Sequence, residues 1–323
     1  MIYQLLQNAG LSAGLWLILS AASAFILTML GIVFFRKALP KDQGREFAVN
    51  GALSQGKPRG AGIILIIAFI LASVLFVPLS VEYAIYLAAI FIEMMSGYLD
   101  DASEKPWGEL KKGIIDLVVA GTVSGTVYYF RGGTVSLALL GVEFTIPAAV
   151  YIILGIILIW ASINVTNCSD GVDGLCGMLS IAALAAVLPV LMQANYDGGM
   201  FTMVWMLIFV LAAYLWFNCS PSSLLMGDAG SRAIGLILAM AFMVSGSPFL
   251  FIPAALMLII DGGLGLLKLT VLRVLKIKSF MQNIRTPIHD HARKNKGWSD
   301  TQVVIRFTMI QALIAALIWA ALQ

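Results

Sequence analysis

Charge is what this chain has least of. Asp, Glu, Lys and Arg together make up 11% of its 323 residues, against about 25% in soluble domains, and that shortage excludes a pair of water-soluble domains of this length. Histidine occurs only at His289 and His291, inside one five-residue stretch, which is weak material for a transition-metal centre. The three cysteines, Cys168, Cys176 and Cys219, follow no repeated metal spacing. They fall near the ends of apolar runs on a side read below as cytoplasmic, where disulfides are rare, and they read as small core residues. No internal repeat, low-complexity tract or long polar linker is visible, so the chain reads as one domain over residues 1–323.

What the chain has in quantity is apolar sequence: 60% of residues and a mean hydropathy of +0.95. Runs of about 20 residues, each long enough for a ~30 Å hydrocarbon core, recur at 12–35, 61–80, 82–99, 114–130, 145–163, 175–192, 200–217, 232–247, 249–268 and 305–322. The expected fold is an all-α integral membrane protein with about ten transmembrane helices. The first run is too long for a signal-peptide core and no basic flank precedes it, so it is not read as cleaved.

Lys and Arg set the orientation, because they concentrate in cytoplasmic loops. If segment 36–60 is inside and the sides alternate from there, the cytoplasmic segments are about 36–60, 100–113, 164–174, 218–231 and 269–304. Nineteen of the 20 basic residues then fall inside, with only Arg131 outside. Both termini are expected outside. Residues 264–286 mix Leu, Val and Ile with Lys268, Arg273, Lys276 and Lys278. They read either as an interfacial helix on anionic lipid or as a helix end whose lysines snorkel.

Three acidic stretches lie at the cytoplasmic ends of spans. Asp100 and Asp101 close the third span, where a helix C-terminus disfavours anions; they need cations, either lysines such as Lys105, Lys111 and Lys112 or a bound metal. Asn164, Asn167, Asp170 and Asp173 recur every three residues, which on a helix keeps each neighbouring pair on nearly one face. Gly171, Gly174 and Gly177 interleave and permit tight turns or close ligand approach. Capping explains one Asn or Asp at a helix start, not four in ten residues. An oxygen-rich patch with amide donors suits a sugar or nucleobase.

Asp228, in Met226-Gly-Asp-Ala-Gly-Ser231, precedes the eighth span; it reads as a helix cap or as a Mg²⁺ ligand, since Mg²⁺ prefers one or two carboxylates plus substrate phosphates. Asn218 ends the seventh span. Arg285, Arg293, Lys294 and Lys296 surround His289 and His291, a setting for phosphate recognition. Glu93, Asp116 and Asp261 lie within or near spans, where ionisable residues are functional candidates, but they belong to no readable motif.

Together Gly97-Tyr-Leu-Asp-Asp101, Asn164-Val-Thr-Asn-Cys-Ser-Asp-Gly-Val-Asp-Gly-Leu175, Phe217-Asn218, Met226–Ser231, Pro287-Ile-His-Asp-His291, Gly297-Trp298 and Val303–Phe307 resemble the polyprenyl-phosphate N-acetylhexosamine-1-phosphate transferase superfamily. Lys57–Ile63 is similar to its Gly-rich entry to the second span. The nearest branch is the one acting on the muramoyl-pentapeptide of bacterial peptidoglycan. The resemblance covers about residues 57–307 and implies transfer of phospho-MurNAc-pentapeptide from a UDP carrier to undecaprenyl phosphate, giving lipid I and UMP in the plasma membrane, by a Mg²⁺-dependent homodimer.

It further implies that Asp100 and Asp101 serve the lipid phosphate and active centre, and that Asp228 is the metal ligand. Lys112, Asn167, Asp170, Gly171, Asp173, Asn218, His289 and His291 would bind substrate. Asp290 departs from the branch's run of three histidines, Leu225 from the aromatic that commonly precedes Met-Gly-Asp, and no lysine follows Lys112 in the fourth span. A sister transferase loading GlcNAc-1-phosphate is the alternative. A secondary transporter is a remote one, because carriers place charge near the midplane within inverted repeats.

Overall fold

The computed structural model describes residues 12–42, 44, 54–103, 105, 107–193, 198–277 and 279–323; Arg45 and Lys278, two of the basic residues used for orientation, lie outside them. Helices occupy all ten apolar runs: α1 (Ala13–Phe35), α2 (Gly62–Phe76), α3 (Val81–Asp101), α4 (Glu109–Arg131), α5 (Ala148–Cys168), α6 (Leu175–Gln193), α7 (Gly199–Asn218) and α8 (Asp228–Val244). The ninth run is a bent pair, α9 (Pro248–Ala254) and α10 (Leu256–Leu275). Then follow α11 (Ile288–Lys296) and α12 (Asp300–Ala321).

A short antiparallel hairpin, β1 (Thr134–Leu137) with β2 (Val142–Thr145), pairs Thr134 with Thr145 between α4 and α5. Serines start several helices: the hydroxyl oxygens of Ser12, Ser80 and Ser299 accept from the first-turn amides, each worth about 1 kcal/mol of helix stability.

Among the described residues, six helices (α1, α4, α5, α6, α7 and α12) are long and apolar enough to cross a membrane, and the bent pair makes a seventh. The other three fall short for legible reasons. α2 and α8 have only 15 and 17 residues, and α3 carries Glu82 and Glu93 among its apolar residues. Outward faces suit lipid: Ile18, Phe34, Val118 and Leu317 are all at least 62% exposed on peripheral helices.

α8 sits at the centre, with every residue from Ala229 to Val244 buried. It packs chiefly against α5 and α3, while α1 lies on α7 and α2, and α12 lies on α6. A helix buried on all sides has to be enclosed by other helices, and here that enclosure fixes the position of its charged first turns, Asp228 and Arg232.

The structure revises several segment boundaries. α5 continues to Cys168, so Asn164 and Asn167 ride on a helix while Asp170 and Asp173 lie in the turn beyond it. The four residues therefore do not share one helical face. Segments 100–113 and 269–304 are partly helical rather than loops, through α3, α4, α10 and α11.

The ninth span is not straight: α9 and α10 meet at 70°. Pro253 lacks an amide donor and Ala255 leaves helical geometry. The backbone groups released at the bend are taken up by Gln311 of α12. Its Oε1 accepts from Met257 N at 2.8 Å and its Nε2 donates to Ala254 O at 2.6 Å, which is how a break inside an apolar environment is tolerated.

Candidate active site

Four helix ends converge at one end of the bundle: the C-termini of α3 and α5 and the N-termini of α4 and α8. The approach of α3 to α8 depends on Gly97, because a Cβ there would lie 2.4 Å from the carbonyl carbon and oxygen of Asp228. Gly227 turns the chain into α8 with φ +73°, a conformation cheap only for glycine, and a Cβ on it would meet Asp101 Oδ2 at 2.3 Å. Two glycines therefore let the two acidic motifs touch.

The contact is a helix N-terminus receiving a carboxylate. Asp228 N donates to Asp101 Oδ2 at 2.7 Å, and Gly227 N donates to Asp170 Oδ2 at 3.2 Å. The amides and the dipole at this terminus favour negative charge. Asp228 is the first residue of α8, but its side chain does not cap the helix; the capping expectation gives way because Asp101 and Asp170 already occupy the terminal amides. The Asp228 carboxylate is free to turn elsewhere. It meets Lys112 Nζ at 3.3 Å, and Lys112 also pairs with Asp100. One ammonium thus bridges Asp100 and Asp228. Asp100 Oδ1 also accepts from Trp107 N at 2.6 Å.

Electrostatics separates Asp101 from Asp228. Burial pushes Asp101 up to about 6, the nearby Asp228 charge adds to the rise, and Arg59 together with the α8 amides opposes it. For Asp228 burial also favours the neutral acid, but Lys112, a hydrogen bond from Asn167, Arg232 and Arg59 outweigh it and hold the carboxyl below its usual range. Lys112 is held above its usual range although burial opposes this, through Asp100 and Asp228. Arg59, whose Nη2 lies 2.8 Å from Asp101 Oδ1, is likewise raised against burial by Asp101, Asp228, Asp42 and Asp170.

The donor set can be tested against a metal. Among the described residues, no group of three or more His, Cys, Asp and Glu forms a metal cluster. Asp228 and Asp100 present carboxylate oxygens on either side of one ammonium. Mg²⁺ is a hard ion that keeps waters and takes one or two carboxylates plus substrate phosphates. The residues present fit that ion and not a closed structural site.

The remaining predicted residues separate into nearby supports and more distant ones. Asn167 Nδ2 donates to Ser231 Oγ at 3.0 Å, tying α5 to α8 beside Asp228. Asp173 accepts from Ser222 N at 2.9 Å and lies 3.8 Å from Lys57. Buried Asn218 is fully engaged: its Oδ1 accepts from Gly174 N at 2.8 Å and its Nδ2 donates to Leu224 O at 2.9 Å.

His289 is buried against Asp261, with Nδ1 2.9 Å from Oδ2 and its backbone amide donating to Oδ1 at 2.7 Å. Its Nε2 faces Gly171, where a Cβ would stand 2.4 Å away. His291 Nδ1 instead accepts from Arg285 N at 3.3 Å and holds the approach to α11. At the departing positions, Leu225 is a backbone partner of the segment before α2, through Pro58 O and Ala61 N. Asp290 lies 3.7 Å from Arg293.

Three features had no assigned role in the sequence. Arg59 is the cation of Asp101, although it registered only as one of six charges in its segment. Asp261 sits in a π-helical turn, Ile259–Gly263, an irregularity often found at functional sites. Glu93, Asp116 and Arg232 form one buried cluster. Its trace in the sequence is helical spacing, since Asp116 follows Lys112 by four residues and Arg232 follows Asp228 by four.

Comparison with known proteins bears on what this arrangement does. The model of glycosyl transferase family 4 matches residues 83–246, a stretch containing Asp100, Asp101, Lys112, Asn167 and Asp228. A phospho-N-acetylmuramoyl-pentapeptide-transferase of Treponema pallidum subsp. pallidum is 33% identical over 97% of this chain and 90% of its own length. Proteins with the same description from Wolinella succinogenes (27% identical, 96% of each chain) and Chlamydia abortus (27% identical, 80% of this chain and 81% of its own) are also similar.

Proposed function

The chain belongs to glycosyl transferase family 4, alongside the phospho-N-acetylmuramoyl-pentapeptide transferases, and from that premise we propose that it moves phospho-MurNAc-pentapeptide from UDP to undecaprenyl phosphate in bacterial peptidoglycan synthesis. An oxygen of the lipid phosphate attacks the sugar-bearing phosphorus of the UDP-sugar. A new P–O–P bond forms, the bond to the UMP oxygen breaks, and UMP leaves. The observation that carries this reading is the bridge of Asp100, Lys112 and Asp228 beside the amide-rich start of α8.

Both reactants are anions, so positioning and charge neutralisation dominate the barrier. Asp100 accepts the proton of the lipid phosphate when that phosphate arrives protonated. Lys112 and Arg59 offset phosphate charge. Asn167, Asp170, Gly171 and Asp173, with Asn218 behind them, shape the nucleotide-sugar side, and His289 and His291 border it from α11. Mg²⁺ would be held by Asp228 together with substrate phosphates, and there it would neutralise pyrophosphate charge.

The wider setting belongs to the same reading. Residues 1–323 form one polytopic domain of ten spans in the bacterial plasma membrane, with both termini outside and the site cytoplasmic. The inside bias of Lys and Arg supports this orientation, and the short helices α2 and α8 span within a shell of longer ones. The protein acts as a homodimer.

The test offers purified protein, undecaprenyl phosphate and Mg²⁺ either UDP-MurNAc-pentapeptide or UDP-GlcNAc in detergent. UMP and lipid-linked muramoyl-pentapeptide are expected from the first alone. A lipid-linked GlcNAc product would move the assignment to the sister transferase. No gradient exists in detergent, so turnover excludes transport as the sole activity. Rapid UMP exchange without lipid acceptor would replace direct attack with a two-step route through Asp228 or Asp101.

A further inference from the structure

One turn or two beneath the bridge lies a second charged triad. Arg232 Nη2 is 2.8 Å from Glu93 Oε1 and also pairs with Asp116 Oδ1. All three side chains are buried: Glu93 is fully enclosed, and Asp116 and Arg232 are 2% and 4% exposed. The three residues come from α3, α4 and α8, the same helices that carry Asp100, Lys112 and Asp228.

The spacing is regular. Asp116 follows Lys112 by four residues and Arg232 follows Asp228 by four, while Glu93 precedes Asp100 by seven, about two helical turns. Residues four or seven apart share a helix face. Each helix therefore presents one charged residue to the upper triad and one to the lower, along the same seam. On α4 and α8 the charges invert between the layers: Lys112 lies above Asp116 on one, and Asp228 lies above Arg232 on the other.

We propose that Glu93, Asp116 and Arg232 are positioning residues that fix the axial register and rotation of α3, α4 and α8, and so set the separation of Asp100, Lys112 and Asp228. Two carboxylates sharing one buried guanidinium are expensive to desolvate and add little net stability. The best attested use of such buried ionic groups is to specify register. Apolar surfaces of α3, α4 and α8 could slide or rotate past one another at small cost, because lipid and side chains are equally apolar. A directional ion pair between them cannot slide. Gly97 adds to the requirement: it removes the side chain that would hold α3 away from α8, so some other group has to define where the close approach occurs.

The inference rests on the transferase reading, and its test separates the two. Wild type, Asp116→Asn, Arg232→Met and Arg232→Lys are purified in detergent. kcat for UMP release, KM for UDP-MurNAc-pentapeptide and melting temperature are measured for each. Asp116→Asn and Arg232→Met are expected to lose at least about 30-fold in kcat, with KM within about threefold, because substrate still docks on a misaligned centre. Arg232→Lys supplies one nitrogen at nearly the same place and should recover most of the loss.

Wild-type kcat in Asp116→Asn, or a fall in melting temperature in Arg232→Met with kcat unchanged, would overturn the positioning role and leave a purely structural cluster. If Arg232→Met does not fold, the nearly isosteric Asp116→Asn decides. An inactive wild type would instead overturn the transferase reading.

Discussion

Replacing Gly97 with alanine tests the architecture of the site without touching a charged group. The new Cβ would lie 2.4 Å from the Asp228 carbonyl, whereas ordinary van der Waals contact begins at 3.4 Å. The obstacle is backbone, so α3 and α8 have to separate by about 1 Å. Such a shift stretches the 2.7 Å hydrogen bond from Asp228 N to Asp101 Oδ2 to about 3.7 Å, beyond hydrogen-bond range.

A misplacement of about 1 Å costs on the order of 100-fold in rate, or about 2.7 kcal/mol of activation free energy. Overpacking costs a further ~1–3 kcal/mol of stability. The assay is UMP release at saturating substrates, paired with a thermal melt. Gly125→Ala is the control: it lies in α4 with nothing within 4 Å of its Cβ position, and it should leave both rate and stability at or slightly above wild type. Full turnover in Gly97→Ala would refute the close approach as a functional requirement.

Two other outcomes follow from the electrostatics. Asp101 lies up at about 6, so as pH falls through that value it gains a proton and loses its grip on the α8 amides. The acid limb of kcat/KM should therefore fall near pH 6, and Arg59→Met should move it to higher pH, because Arg59 lowers the Asp101 value; a limb near pH 4 would contradict this. Lys112→Met leaves Asp100 and Asp228 facing each other without their shared cation, and UMP release should drop at least 100-fold while UDP-sugar still binds; a loss under threefold would show that the bridge is dispensable.

The positions of the helices were legible because each apolar run is about as long as a membrane is thick. Ala13–Phe35 and Leu175–Gln193 fall within a residue of the expected runs 12–35 and 175–192. Their ends were less legible, because polar residues continue a helix wherever a neighbour supplies partners. Asn164 stays helical through its bond to Trp160 O, and α5 stops only at Cys168. Pro253 marks a break in the ninth run, but the partner that satisfies the freed backbone groups at the bend, Gln311, lies more than fifty residues away.

That the acidic motifs meet at one end of the bundle was legible in their positions at the ends of apolar runs. The counter-ions were harder. Lys112 stood out beside a motif, whereas Arg59 reaches Asp101 across the fold and Arg232 was only the lone basic residue of its segment. Pairing between distant helices carries no sequence period except the four-residue offsets within α4 and α8, and those acquire meaning only when the two helices are seen side by side.

Asp228→Asn separates a chemical role of Asp228 from a structural one, because it preserves shape and leaves the Asp101–amide contact intact. UDP-MurNAc-pentapeptide binding by calorimetry and UMP release should be measured on the same folded preparation. Binding within a few-fold of wild type, with turnover reduced at least 1,000-fold, is the expected result; full turnover by the asparagine variant would contradict the assignment.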